Sequence, residues 1–210
     1  MPKFPDPPHP VTLAATGPDI VVLPRGTRLY RLFFRGGPYP AQWNTMRAYG
    51  PLRQARFDHH MPPPHVQRRA VYYAATSIAI CIAEVFQRNR LIDRRSADPW
   101  IAAFDLDDDL ALLDLCGLWP TRAGASQAIS SSPHHARSRR WSQAVYEAFH
   151  GAVSGMRYRS SMYRGDVSVV LYESGAGALP AGAAFEYPLI HPGLVAALDH
   201  LSHSLEYRLV

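Results

Sequence analysis

The sequence lacks the features of several protein classes. It has two cysteines in 210 residues, Cys81 and Cys116, without metal-type spacing. We expect two buried thiols in a reducing cytosol, with a disulfide or a reactive thiol as the alternative. No run approaches the ~18 apolar residues that span a bilayer, and the proline-rich N-terminus has no apolar signal core. These absences predict a cytoplasmic protein with no membrane partner.

The common nucleotide and hydrolase motifs are also missing. There is no G-x-G-x-x-G, no G-x-x-x-x-G-K-[ST], no G-x-S-x-G, no H-E-x-x-H and no C-x-x-C. The Asp105–Asp109 region lacks the Gly and the bidentate Glu of a calcium loop, which indicates a solvated turn. The pairs His59-His60 and His134-His135 lack zinc spacing and are interpreted as loop histidines. No metal site is predicted.

Lysine is nearly absent, although the chain is basic. All but one of the 22 Lys and Arg residues are Arg, and the formal net charge is +5. This balance favours an anionic ligand but does not choose between phosphate, nucleic acid and an acidic partner. The hydrophobic content of 47% is that of a globular protein and excludes a disordered chain.

The patterning predicts one domain with a proline-rich arm. Residues 1–24 are interpreted as an extended N-terminal arm, and residues 25–210 as a single globular domain. Residues 35–64 are mostly loop. Strands and helices alternate loosely, which favours an α+β fold over a doubly wound parallel sheet. Strands are predicted at 27–34, 70–75, 100–106, 110–115 and 167–172, and helices at about 77–89, 143–151 and 192–203. A start near Arg137 is the alternative for the second helix.

One acidic residue stands out in the first of these helices. Glu84 lies in a segment that is apolar almost all round, and a carboxylate there is costly unless it is paired or faces a cleft. An ordinary ion pair with Arg88 at i+4 is the structural alternative. Tyr73 ends the preceding strand, eleven residues earlier, and lies near Glu84 only if the helix folds back on that strand.

Two arginines and a serine are further candidates. Arg31 lies in the middle of the first strand, where an inward-facing guanidinium requires an anion. Arg56 follows in Ala-Arg-Phe-Asp at the end of the long loop. The segment Gly-Met-Arg-Tyr-Arg-Ser-Ser before the last strand ends in Ser160 and Ser161, which supply hydroxyls at a strand edge.

Taken in order, these residues resemble the RES domain, a family named for its Arg, Glu and Ser. The resemblance rests on Tyr-Arg at 30–31, Arg-Phe at 56–57, Val-Tyr-Tyr-Ala-Ala at 71–75 with Ala-Glu-Val-Phe at 83–86, and residues 155–160. It extends from about residue 27 to about residue 190. The family commonly has Tyr-Pro-Ser where this chain has Tyr-Arg-Ser, which leaves Ser160 and Ser161 as alternatives. Residues 122–140 match nothing in the family pattern.

The resemblance implies a fold, an activity and a partner. RES domains are similar to ADP-ribosyltransferases, with split, mostly antiparallel sheets and flanking helices around an NAD cleft. Members cleave the nicotinamide–ribose bond of NAD, with water or phosphate as acceptor, so that NAD is a substrate and no cofactor is needed. They are toxins neutralised in a hetero-oligomer by a cognate Xre-type helix-turn-helix antitoxin, which blocks the cleft.

The resemblance also implies roles for the five residues. Glu84 would stabilise the oxocarbenium-like transition state, and Arg31 would be catalytic and bind phosphate together with Arg56. Tyr73 would stack on nicotinamide, and Ser160 would hydrogen-bond the ribose or the carboxamide. Direct nucleic-acid contact is not expected.

Two other functions remain open at this point. The same fold would support an ADP-ribosyltransferase that modifies a protein or nucleic acid. Basic clusters such as Arg137, Arg139 and Arg140 beside Trp141 would suit a non-enzymatic nucleic-acid or protein binding module. The sequence does not separate a toxin from a metabolic enzyme, and it does not identify the acceptor.

Overall fold

A computed structural model describes residues 4–163 and 166–210. The helices are α1 Pro10–Thr16, α2 Ile78–Phe86, α3 Trp119–Arg122, α4 Ala128–Ser131, α5 His135–Phe149 and α6 Val195–Leu205, with 3₁₀ turns at Glu173–Ala178 and Pro192–Leu194. The strands are β1 Ile20–Leu23, β2 Arg28–Phe34, β3 Arg47–Gly50, β4 His65–Ala75, β5 Leu91–Ile92, β6 Pro99–Asp105, β7 Leu110–Asp114, β8 Gly155–Arg159, β9 Val167–Tyr172, β10 Phe185–Pro188 and β11 Arg208–Leu209.

The main sheet is nearly all antiparallel and consists of two parts. Its order is β1-β7-β8-β9-β4-β2-β6-β10, with β3 paired to β4. Within it β7 and β8 run parallel, and a small separate sheet pairs β11 with β5 in parallel. One part contains β1, β7, β8, β9 and β4, and the other contains β2, β6 and β10. They meet where β2 pairs with β4, at Tyr30 and Ala75. This mixed α+β fold, with a mostly antiparallel sheet and flanking helices, is the predicted fold class.

The best-patterned segments form the elements that were predicted. The aromatic and β-branched run before residue 35 forms β2, and the Val-rich run at 167–172 forms β9. Helix α2 begins after Ser77, whose hydroxyl oxygen accepts a hydrogen bond from Ile80 N at 3.4 Å, as expected for an N-cap. Most of its apolar residues, including Ile80 and Ile82, are buried, whereas Val85 is exposed.

The prediction of an extended arm is wrong for part of residues 4–24. Pro10–Thr16 forms helix α1, since a proline is well suited to the first turn of a helix. Leu13 is fully buried in the core, and α1 packs on α5. Strand β1 then adds an edge to the sheet by pairing with β7. The arm is therefore part of the fold, although residues 1–3 of the predicted arm lie outside the described residues.

Weakly patterned segments also carry structure that the sequence analysis missed. The loop predicted at 35–64 contains β3, and the unmatched stretch 122–140 contains α4 and the start of α5. Strand β8 starts at Gly155, whose φ is +154°. A Cβ there would lie 2.1 Å from Val170 O, so only glycine allows β9 to approach this closely.

Both thiols are free, with Cys81 buried and Cys116 half-buried. Over residues 4–163 and 166–210, none of the helices combines the length and the apolar character that crossing a membrane requires.

Candidate functional site

A cavity of about 280 Å³ lies beside the Tyr30–Ala75 pair, where the two parts of the sheet meet. Its walls come from β2, β4, α2, the loop before residue 58 and the start of α5. Arg31, Arg56, Tyr73 and Glu84 all line it. Four candidates that are far apart in the sequence therefore share one cavity.

Glu84 reaches the cavity from α2, and neutral groups hold its carboxylate. Ser160 Oγ donates to Glu84 Oε1 at 2.5 Å, and Gln87 Nε2 lies 3.3 Å from Oε2. The i+4 ion pair with Arg88 is not found, and within the described part of the chain no cation lies within 4.0 Å of this carboxylate. A half-buried carboxylate with neutral partners retains a charge that can act on a ligand.

Arg31 also has no counter-charge. Its Nη1 donates to Trp43 O at 3.2 Å and Thr45 O at 3.0 Å, and its guanidinium carbon lies 4.1 Å from the ring centroid of Tyr72. Burial lowers the pKa of Arg31. Carbonyl dipoles and an aromatic face orient this guanidinium without neutralising it, and it forms no ion pair in residues 4–163 or 166–210.

Arg56 enters the cavity from the loop that follows β3. Its Nη1 donates to the carbonyl oxygen of Ser132, next to the start of α5. Burial lowers the pKa of Arg56, while the negative charge of Glu84 acts in the opposite direction. The cavity is thus lined by one carboxylate, that of Glu84, and by three guanidinium groups, of which only Arg47 is paired with a carboxylate, that of Asp58. This set suits a ligand with both anionic and cationic parts.

Tyr73 forms a rigid part of the wall through a buried acid. Its hydroxyl donates to Asp58 Oδ1 at 3.1 Å and accepts from Phe57 N at 3.0 Å. Asp58 is fully buried and also pairs with Arg47 at 2.5 Å and accepts from Leu52 N at 2.8 Å. Burial raises the pKa of Tyr73 well above its usual value, so the phenol stays protonated. The sequence analysis missed both Asp58 and Arg47.

Of the two serine candidates, Ser160 contacts the site. Its hydroxyl donates to Glu84, and its oxygen accepts from Met162 N at 3.1 Å and Tyr163 N at 3.2 Å. Ser161 is exposed. The Ser160 proton is thus donated to the carboxylate of Glu84, and the contact of Ser160 with ribose or carboxamide stays a prediction.

One face of α5 holds the loop that carries Arg56. His135 Nδ1 lies 2.9 Å from Gln54 O, and Ser142 Oγ donates to Phe57 O at 2.8 Å. On the same face, Arg139 Nη1 donates to the carbonyl oxygens of residues 52, 53 and 55. Gln143 Nε2 donates to the carbonyl oxygen of His60. The spacing 135, 139, 142, 143 is that of one helix face, which is the sequence signal that could have identified them.

Of the four histidines predicted to lie in loops, three lie outside helices and strands as expected, and His135 does not. His59 and His60 follow Asp58 outside any helix or strand, but both are fully buried. His135 is the first residue of α5 and lines the cavity, whereas His134 is exposed. Burial of a polar ring next to a buried carboxylate has no clear signal in the local sequence.

The basic cluster at the start of α5 serves internal contacts. Arg140 pairs with Asp6, and Arg137 donates to the carbonyl oxygen of Phe4. Trp141 is fully buried, and its indole N–H donates to Pro5 O at 2.9 Å. These contacts attach the N-terminal segment to α5 and leave little of this cluster for nucleic acid.

Comparisons with known proteins agree with this geometry. The family model described as "RES domain" matches residues 28–190. A chain of the Mycobacterium tuberculosis MbcT–MbcA toxin–antitoxin complex is similar in structure, with a TM-score of 0.56 and 17% sequence identity over 91% of this chain and 96% of that chain. No curated protein matches the sequence. Since the family model covers more than half of its length, this chain belongs to the RES domain family.

Proposed function

We propose that this protein degrades NAD by cleaving the bond between nicotinamide and ribose, as the toxin of a toxin–antitoxin pair. The observation that carries the proposal is the composition of the cavity, in which Arg31, Arg56 and Glu84 face one space without pairing with one another. NAD has an anionic pyrophosphate, which the two arginines would bind, and a cationic nicotinamide riboside, which the carboxylate of Glu84 would face.

The chemistry requires a single carboxylate. Nicotinamide leaves as a neutral molecule from a cationic pyridinium, so no general acid is needed, in contrast to the two-carboxylate glycosidases. Glu84, oriented by the Ser160 hydroxyl, would stabilise the positive charge that develops on the ribose. The cavity of about 280 Å³ is at the small end for ligand sites and would enclose the nicotinamide end of the dinucleotide.

The arginines would hold the anionic part. Arg31 and Arg56 bond only to carbonyl oxygens among the described residues, so their charge is available to the pyrophosphate. Tyr73, fixed by Asp58, would provide a stacking surface for nicotinamide. This set replaces the glycine-rich loop that the sequence lacks.

The partner would be a cognate Xre-type helix-turn-helix antitoxin that forms a hetero-oligomer with this chain in the cytoplasm. Support comes from the family assignment and from the structural neighbour, whose title describes a toxin–antitoxin complex. Co-expression with the product of an adjacent helix-turn-helix gene should relieve growth arrest and give a stable complex on co-purification. Growth arrest that every adjacent gene product fails to relieve would contradict this part of the proposal.

The decisive test is the substitution Glu84→Gln, which removes the charge and keeps the shape. The rate of nicotinamide release from NAD, measured by chromatography, should fall by about 10³-fold. One preorganised electrostatic contact to the transition state contributes up to that factor to the rate. Glu206→Gln changes an exposed glutamate and is the matched control. A Glu84→Gln protein that is as active as the parent would overturn the assignment.

The same assay separates the transferase alternative. With NAD labelled in its adenylate part, hydrolysis or phosphorolysis leaves the label on a small molecule. Label that appears on a protein or nucleic acid would favour an ADP-ribosyltransferase instead.

A further inference from the structure

His135 is a titratable group in the cavity to which the proposed mechanism gives no role. It is the first residue of α5 and lines the cavity together with Glu84 and Arg56. Its Nδ1 lies 2.9 Å from the carbonyl oxygen of Gln54, which can only accept a hydrogen bond. Nδ1 therefore carries the proton, and Nε2, on the other side of the ring, carries a free lone pair.

The surroundings of His135 keep the ring neutral. Burial lowers its pKa below the usual 6.5, and the positive charges of Arg56 and Arg139 act in the same direction. The Gln54 carbonyl and the charge of Glu84 oppose this, with effects smaller than those of burial and of Arg56. At neutral pH the ring is consequently an unprotonated base beside the proposed catalytic carboxylate.

We infer that His135 is the general base that accepts the proton of the attacking water when NAD is hydrolysed, an inference that rests on the proposed function. The C1′–N bond breaks, and its electron pair leaves with neutral nicotinamide. The water oxygen forms the new bond to C1′, and its proton passes to Nε2 of His135 and then to solvent. Glu84 cannot take this role equally well, because its negative charge stabilises the ribosyl cation and its Oε1 already accepts the Ser160 proton.

A general base is needed for one acceptor of the ribosyl group, water, but not for the other, phosphate. Water must lose a proton as it attacks, whereas a phosphate dianion attacks without losing one. His135 should therefore be needed for hydrolysis and dispensable for phosphorolysis. A residue with a purely structural role would affect both reactions equally.

The test is the variant His135→Asn, since the Asn amide can still donate to Gln54 O but has no basic nitrogen. In phosphate-free buffer, release of ADP-ribose at pH 7.5 should fall by about 100-fold, a typical contribution of general base catalysis. In phosphate buffer, formation of the ADP-ribose phosphate should change less than threefold. His134→Gln alters the exposed neighbour and should leave both rates unchanged.

The pH profile provides a second measurement. The base form is required, so wild-type hydrolysis should decline as the pH falls through the lowered pKa of His135, below 6.5. The His135→Asn profile should lack this decline. Equal losses in hydrolysis and phosphorolysis, an unchanged rate of hydrolysis, or a wild type that yields only the phosphorylated product would each refute the inference. A wild type that releases no nicotinamide at all would instead refute the proposed function.

Discussion

Asp58 contacts two polar clusters: its carboxylate accepts from Tyr73 in the wall of the cavity, and it lies 3.9 Å from His60 of a second cluster that also contains His59 and Glu173. The two clusters treat charge in opposite ways. In the cavity, Glu84 and Arg31 each bond to neutral groups. In the second cluster, the Glu173 carboxylate contacts His59 Nε2 at 3.1 Å, and it accepts from Ala70 N at 3.1 Å and from the hydroxyl of Tyr146. One carboxylate keeps room for a ligand, and the other is saturated by the protein.

The pKa values follow from this difference. Burial alone would raise the pKa of Glu173, but hydrogen bonds from His59, Tyr146 and Ala70 N outweigh it and lower the pKa to about 2. Satisfied buried charges of this kind serve the fold, whereas unneutralised charges in a cavity are costly and serve binding. Substitutions in the two clusters should therefore affect stability and activity differently.

Asp58 connects the two clusters, and its substitution should have the largest effect. Asp58→Asn removes the partner of Arg47 and leaves Leu52 N or the Tyr73 hydroxyl without an acceptor. The free energy of unfolding should fall by about 3 kcal/mol, the low end of the cost of removing one partner from a buried ion pair. The low end applies because the Arg47 side chain is 27% exposed and its charge is partly solvated. NAD cleavage should also fall by roughly 10-fold, since Tyr73 loses its fixed position. Denaturant unfolding and the nicotinamide assay measure the two effects.

The control for Asp58 is Asp19→Asn, which removes an exposed ion pair with Arg122. This variant should lose less than about 1 kcal/mol and no activity. If Asp58→Asn changed stability while the Michaelis constant and turnover for NAD stayed at wild-type values, Asp58 would belong to the fold alone, and the two clusters would be independent.

Arg31→Gln should separate function from stability. The guanidinium has no carboxylate partner among the described residues, so its removal should change the unfolding free energy by less than about 1 kcal/mol. Loss of a charged contact to phosphate should lower kcat/KM for NAD by about 30-fold, or about 2 kcal/mol. Arg28→Gln, on the same strand but in an exposed pair with Asp105, should change neither quantity appreciably. A strong loss of stability in Arg31→Gln would show that its charge serves the fold.

The sequence predicted the parts of the site that lie on well-patterned elements. Arg31 is a charge on an aromatic, β-branched strand and Glu84 is a single charge on an apolar helix, so both violate a local pattern in a visible way. Tyr73 fits its strand and was singled out by its distance of eleven residues from Glu84. Arg56 and Ser160 are weaker candidates as single residues, and the resemblance to RES domains supplied their predicted roles. Their clustering in space depends on the contact between β2 and β4, which no local pattern reveals.

The parts that were missed depend on tertiary contacts. His135 begins a helix whose start was placed only approximately, so its position on the cavity side of α5 could not be assigned. Asp58 follows a loop arginine and looks like a surface turn residue, yet it is fully buried because Arg47, Tyr73 and Leu52 N all bond to it. Such burial results from contacts between segments that are distant in the sequence, and the periodicity of apolar residues does not predict it.

The smallest predicted effect is on the pH dependence of stability. Burial lowers the pKa of His60 to about 4, and both of its ring nitrogens are without a partner among residues 4–163 and 166–210. The unfolded chain therefore takes up a proton near pH 6.5, before the folded protein does, and stability falls as the pH falls from 6.5 towards 4. The lowered pKa of Glu173 adds a loss only below about pH 4.5, as the pH falls towards 2.

Between pH 7 and pH 5 the unfolding free energy should therefore decrease by about 1.8 kcal/mol, as measured by urea unfolding at the two pH values. His60→Asn should reduce this difference whatever its own effect at pH 7, because the titrating group is gone. His200→Gln, at an exposed position on α6, should keep the wild-type difference. If the wild-type protein had the same unfolding free energy at both pH values, His60 would be protonated in the folded state without cost. The second cluster would then not be a set of groups with fixed protonation, and it would not differ from the cavity in this respect.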